Sequence, residues 1–127
     1  NSRYPDKRTS FDWLTREAST VDRYIQDPYC NFVFTANGFE NLLSMLRYVS
    51  SRQWYASVPR DLPILLISGD MDPVGQYGRG VKQVFRRLKR EGVMDLTIRL
   101  YEQGRHEILN ETNRQDVYSD LMNWLEG

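Results

Sequence analysis

Leu62-Pro63-Ile64-Leu65-Leu66-Ile67-Ser68-Gly69-Asp70-Met71-Asp72-Pro73-Val74 is the stretch on which the fold turns. Its apolar run is short, rich in branched residues and bounded by proline on one side and Gly-Asp on the other, which reads as a buried strand ending in a turn. A second strand, Leu96-Thr97-Ile98-Arg99-Leu100-Tyr101, leads into Gly104-Arg105-His106-Glu107. Between them Val81, Val84, Phe85 and Leu88 repeat at helical spacing from about Tyr77 to Glu91, and Gly92 suits a left-handed cap. Strand, helix, strand predicts a parallel pair whose two terminal turns lie on the same sheet edge. Asp72 and the chain's single histidine, His106, then face each other there. A last helix, about Asn113 to Leu125 with Thr112 or Asn113 as cap, carries Val117, Leu121, Trp124 and Leu125 inward.

Upstream of this unit the texture is helical and loop-like. Thr15 or Thr9-Ser10 can cap a helix that reaches Gln26 with Val21, Tyr24 and Ile25 on one face, and Asp27-Pro28 ends it. A second helix follows the Asn37-Gly38 turn, with Phe39, Leu42, Leu43 and Leu46 on one stripe, and runs to about Val49 or Ser51. Trp54 to Leu62 reads as a connector. The division is a helical segment over residues 1–55 and a β-α-β-α unit over 56–127, making an α/β chain.

With 127 residues the chain is of single-domain size. Its 17 basic and 17 acidic side chains cancel, so no overall field favours nucleic acid or an acidic membrane. Lys82, Arg86, Arg87, Lys89 and Arg90 read as the solvated face of their helix, with cations at its C-terminal end. Pro63 to Ile67 is too short to span a bilayer, and no signal-peptide pattern opens the sequence, which points to the cytoplasm. One cysteine, Cys30, excludes an internal disulfide and is expected to be a buried small hydrophobe. One histidine argues against a histidine-rich metal site, and no cofactor is expected. Asn110-Glu111-Thr112 matches a glycosylation acceptor by chance.

The chemistry of the edge pair follows from the residue types. A histidine that takes a proton from a hydroxyl needs a carboxylate on its other ring nitrogen, which fixes the tautomer and stabilises the imidazolium. Asp72 supplies that carboxylate, with Asp70 as a nearby competitor. Acid then histidine, each after a late strand, is the order that follows the nucleophile in α/β-hydrolases. No Gly-x-Ser-x-Gly elbow occurs in the chain, and Ser10, Ser19, Ser44, Ser50, Ser51, Ser57 and Ser68 sit in no glycine-flanked strained turn.

Pro63 to Gly75, Val81-Lys82, Leu88, Val93 to Thr97 and above all Gly104-Arg105-His106-Glu107-Ile108-Leu109-Asn110-Glu111 resemble the C-terminal half of monoglyceride-lipase, lysophospholipase and serine-aminopeptidase-like α/β-hydrolases. Phe11 to Arg16, Asp27 to Cys30 and Phe32 to Thr35 resemble the helical cap that such enzymes insert before their last strands. The resemblance implies an incomplete α/β-hydrolase fold with Asp72 as triad acid and His106 as triad base, acting on carboxylic esters with an acyl chain. Phe11, Trp13, Phe32 and Phe34 then line an acyl channel, unless they and Tyr29 are simply the cap's small core. Without the serine such a chain is expected to be inactive alone. Its inner strand exposes an apolar edge to be covered by the missing N-terminal half or by a homodimer. The alternative is a small noncatalytic α/β binding or interaction domain in which Asp72 and His106 are incidental.

Overall fold

The structure is a computed structural model that describes Tyr4, residues 7–30 and residues 32–127. In chain order it contains α1 (Ala18–Gln26), α2 (Ala36–Val49), α3 (Arg52–Ser57), β1 (Ile64–Gly69), α4 (Arg79–Arg90), β2 (Leu96–Tyr101), a short 3-10 turn (Ile108–Asn110) and α5 (Arg114–Glu126). A helical segment thus precedes a β-α-β-α unit. The strands pair in parallel, from Ile64 opposite Leu96 to Gly69 opposite Tyr101.

Two small cores flank this pair. Tyr55, Leu88 and Val93 are buried together, with Trp54, Val58, Ile64, Leu66, Val84 and Leu96 packed around them. Tyr101, Ile108 and Val117 form the second, joined by Ile67 and Leu121. Of the apolar residues of α4, Val84 and Leu88 pack into the first core and Val81 and Phe85 are half-buried, and Gly92 adopts φ 92° after the helix, where a side chain would strain the backbone. Leu125, expected inward on α5, is 68% exposed, because the second core reaches along α5 only from Val117 to Leu121.

The helical segment departs further from expectation. Trp54 to Leu62 is not all connector: Ser51 accepts the Trp54 N–H at 3.2 Å and starts α3, whose Tyr55 enters the core. Asn37-Gly38 does not precede α2 but lies inside it, because Thr35 caps the helix by accepting the Gly38 N–H at 3.1 Å. The cap of α1 is Glu17 rather than an upstream threonine, and Thr15 instead spends its hydroxyl on Asn110 O and the Glu17 N–H. The apolar stripe of α2 remains open, with Phe39, Leu42, Leu43 and Leu46 all exposed, since little but α3 packs against that helix. Cys30 is half-exposed rather than buried.

Candidate active site

The parallel register carries β1 and β2 out of the sheet side by side, and hydrogen bonds continue past the ladder. Asp70 N–H donates to Tyr101 O at 3.0 Å and Met71 N–H to Gly104 O at 2.9 Å. Gly69 packs so tightly on this second turn that a Cβ would fall 2.0 Å from Gly104 O. The two turns are therefore locked backbone to backbone.

Out of that lock come the two predicted side chains. Asp72 is 6% exposed, and its Oδ1 accepts the Val74 N–H at 2.8 Å. Its Oδ2 lies 3.2 Å from His106 Nδ1. The loop behind it is drawn tight: Tyr77 N–H donates to Asp72 O at 2.7 Å, and Gln76, Tyr77 and Gly78 have φ of 53°, 57° and 78°. Left-handed backbone at two non-glycine residues stores strain, which the contacts around Asp72 hold in place. Gly75 leaves room for the carboxylate, since a Cβ there would stand 3.1 Å from Asp72 Oδ2.

His106 is gripped from the helical segment as well. Its N–H donates to Trp13 O at 3.3 Å, the next N–H, of Glu107, donates to Leu14 O at 2.7 Å, and the Trp13 indole lies over the imidazole with centroids 5.1 Å apart. With Nδ1 engaged by the carboxylate, Nε2 has no hydrogen-bond partner among the described residues. In such an arrangement a carboxylate can orient an imidazole whose second nitrogen is able to take a proton. The carboxylate at His106 Nδ1 is that of Asp72, while the Oδ1 of Asp70 is buried without a partner among the described residues.

Of the aromatics, only Trp13 contacts His106 among the described residues. Phe11 packs on Tyr24 at 5.2 Å. Phe32 and Phe34 are 63% and 46% exposed and form an edge-to-face row with Phe39, while Tyr29 is exposed outright. They do not make the small cap core that aromatic clustering suggested.

The surrounding ionisable groups are arranged for structure. Burial, reinforced by Tyr77 and Asp72 and opposed by Arg105, pushes Tyr4 up to about 12, and its hydroxyl donates to Met71 O at 2.8 Å. Burial and Asp27 push the Cys30 thiol up, away from the thiolate a nucleophile requires. Among the described residues no cluster of His, Cys, Asp or Glu fits a metal ion, and no helix is long and apolar enough to cross a membrane.

Comparison with known proteins gives the chain a family. The family described as Serine aminopeptidase, S33, matches residues 1–113, a span that includes both Asp72 and His106. The chain belongs to that family. Among solved structures, this S33-family chain superposes on a highly thermostable carboxyl esterase from Bacillus coagulans in complex with glycerol, with TM-score 0.88 and 30% identity over 99% of this chain. It also superposes on a lipase in its open form, with TM-score 0.81 and 31% identity over 95% of this chain. In each case it spans 41% of the other protein's length. The fold is thus a part of the α/β-hydrolase fold. Among curated proteins none matches the chain.

Glu111 went unassigned in the sequence, although it closes the Gly104–Glu111 motif. It is fully buried and accepts four hydrogen bonds. An acid five positions after the histidine, at the close of the Gly104–Glu111 motif, was the available signal.

Proposed function

We propose that this chain is the acid-and-histidine part of a serine esterase that cleaves carboxylic esters bearing a lipid-like acyl chain, of the lysophospholipase or monoacylglycerol-lipase kind. Asp72 orients His106 through Nδ1, and Nε2 takes the proton from a serine hydroxyl as it attacks the ester carbonyl, then returns it to the leaving alcohol. The observation that carries this reading is the 3.2 Å approach of His106 Nδ1 to Asp72 Oδ2, on neighbouring strand ends of an S33-family fold.

In this reading the serine comes from polypeptide outside the 127 residues, and the chain alone is inactive toward esters. Residues 1–55 act as cap and 56–127 as the C-terminal part of the core. Trp13 borders the acyl site, with Phe11, Phe32 and Phe34 forming its outer approach. The half-exposed strand β1 abuts the polypeptide that brings the serine or, in its absence, a second copy.

The test is ester hydrolysis by the polypeptide of the complete reading frame, with a fluorophosphonate probe reporting the activated serine. Hydrolysis of long-chain p-nitrophenyl esters, reduced by about four orders of magnitude in Asp72→Asn, is the expected result. Full activity in both Asp72→Asn and His106→Ala would sink the reading.

A further inference from the structure

Glu111 is 0% exposed and uses its whole acceptor capacity. Oε1 accepts the backbone N–H groups of Arg16 at 3.1 Å and Arg105 at 3.0 Å. Oε2 accepts Arg16 Nε at 2.9 Å and the Thr112 N–H at 3.0 Å. These donors come from the two segments between which His106 is held. Arg105 immediately precedes the histidine, and Arg16 belongs to the strap whose Trp13 and Leu14 carbonyls accept the His106 and Glu107 N–H groups. The strap is tied to the histidine turn a second time by Arg105, whose guanidinium donates to the carbonyls of Asp12 and Thr15.

We infer that Glu111 is a positioning residue for His106: its carboxylate fixes the histidine turn and the Trp13 strap to each other, and thereby sets the imidazole between Asp72 and the indole. The role rests on the esterase reading for its consequence, but not for its geometry. A purely structural salt bridge needs only the Arg16 guanidinium, whereas three of the four Glu111 bonds come from backbone N–H groups, two of them in the segments that hold His106. Glutamine cannot replace it, because one end of its amide presents donors to N–H groups that already donate.

His106 is the only histidine, so its imidazole signals in NMR are unambiguous. In the wild-type chain the Nδ1 proton, hydrogen-bonded to Asp72, gives a slowly exchanging downfield resonance, and the ring shows a cross-peak to Trp13. Glu111→Gln is expected to abolish the first and at least halve the second while the fold persists. Arg16→Lys, which keeps the charge but loses the fixed Nε donor, gives a smaller change in the same direction and serves if Glu111→Gln does not fold. Leu88→Ala, in the far core, lowers stability without touching either signal. In the ester-cleaving polypeptide, Glu111→Gln lowers kcat by about a hundredfold with KM little changed, as expected for a misplaced base. A folded Glu111→Gln or Arg16→Lys chain with both signals intact would overturn the role and leave the esterase reading standing. A wild-type chain lacking both signals would overturn the two together.

Discussion

Gly69 and Gly104 meet backbone to backbone, so close that a Cβ on Gly69 would lie 2.0 Å from Gly104 O and 2.4 Å from Arg105 O. The atoms it would strike are main chain, so no rotamer change relieves the clash. Gly69→Ala must therefore separate the two turns that carry Asp72 and His106. The expected cost is at or beyond the upper end of the roughly 1–3 kcal/mol typical of overpacking, read as a lowered urea midpoint. The His106 Nδ1 proton signal should vanish along with it. An alanine variant of unchanged midpoint would show that the turns are not locked here.

Acid should loosen the strap before it touches the sheet. Burial works against the Asp12 carboxylate, but bonds from the Thr9 hydroxyl and from the Thr9 and Arg8 N–H groups outweigh it and hold its pKa below 3.8. The native value is depressed relative to the unfolded chain, so unfolding takes up a proton at acid pH. The stability Asp12 contributes is present above the unfolded value and is lost as pH falls through the native one. Asp12→Asn should accordingly lower the urea midpoint at pH 7 and flatten its decline below about pH 4. An unaltered pH dependence in that variant would place the acid sensitivity elsewhere.

How much of this was legible depends on where the stabilising contacts come from. Ile64 to Gly69 declares itself as a short apolar run and Leu96 to Tyr101 as a strand with apolar residues at alternate positions, and the approach of Asp72 to His106 follows from their parallel pairing. Helix α3 was hidden because six residues are too few to show a period, and its formation hangs on the Ser51 cap and on Tyr55 reaching the core. The stripe of α2 was legible as a helix but not as an open surface, since periodicity tells which side is apolar and not what covers it. Trp13 over His106 and the four bonds of Glu111 were illegible for a different reason. The ring contact and the two bonds from Arg16 join positions more than ninety residues apart in sequence, and no local spacing records such contacts.

Alkali should act through Tyr4. Its hydroxyl, buried and bonded to Met71 O at 2.8 Å with the Arg105 guanidinium 4.4 Å above the ring, is pushed up to about 12. A raised native value means that the unfolded chain gives up the proton first. The contribution is complete below the unfolded value, near 10, and disappears as pH rises toward 12. Tyr4→Phe should therefore lose stability at neutral pH, by about 1 kcal/mol for one hydrogen bond, and show a shallower alkaline decline. Absorbance titration of tyrosinate should find one fewer late-ionising group. A variant with the same alkaline profile as the parent would contradict the burial of this hydroxyl.

The outer edge of β1 has no partner strand among the described residues, although Leu65, Leu66 and Ile67 are strongly apolar and only half-buried. Beside it opens a cavity of about 720 Å³ lined by Leu46, Tyr55, Leu65, Ile67, Val81 and Val84. Unpaired N–H and C=O groups next to apolar side chains favour pairing with another chain. The 127-residue chain by itself is thus expected to self-associate in sedimentation velocity, increasingly so with concentration. Leu65→Lys, which sets a charge on that edge at a half-exposed position, should shift the distribution toward monomer while leaving the helical circular dichroism unchanged. Coexpression with the polypeptide that supplies the serine should give a discrete complex in place of the self-associated species. A parent chain that sediments as a single monomer at every concentration would show that this edge needs no cover, and would remove the main structural reason for a partner at β1.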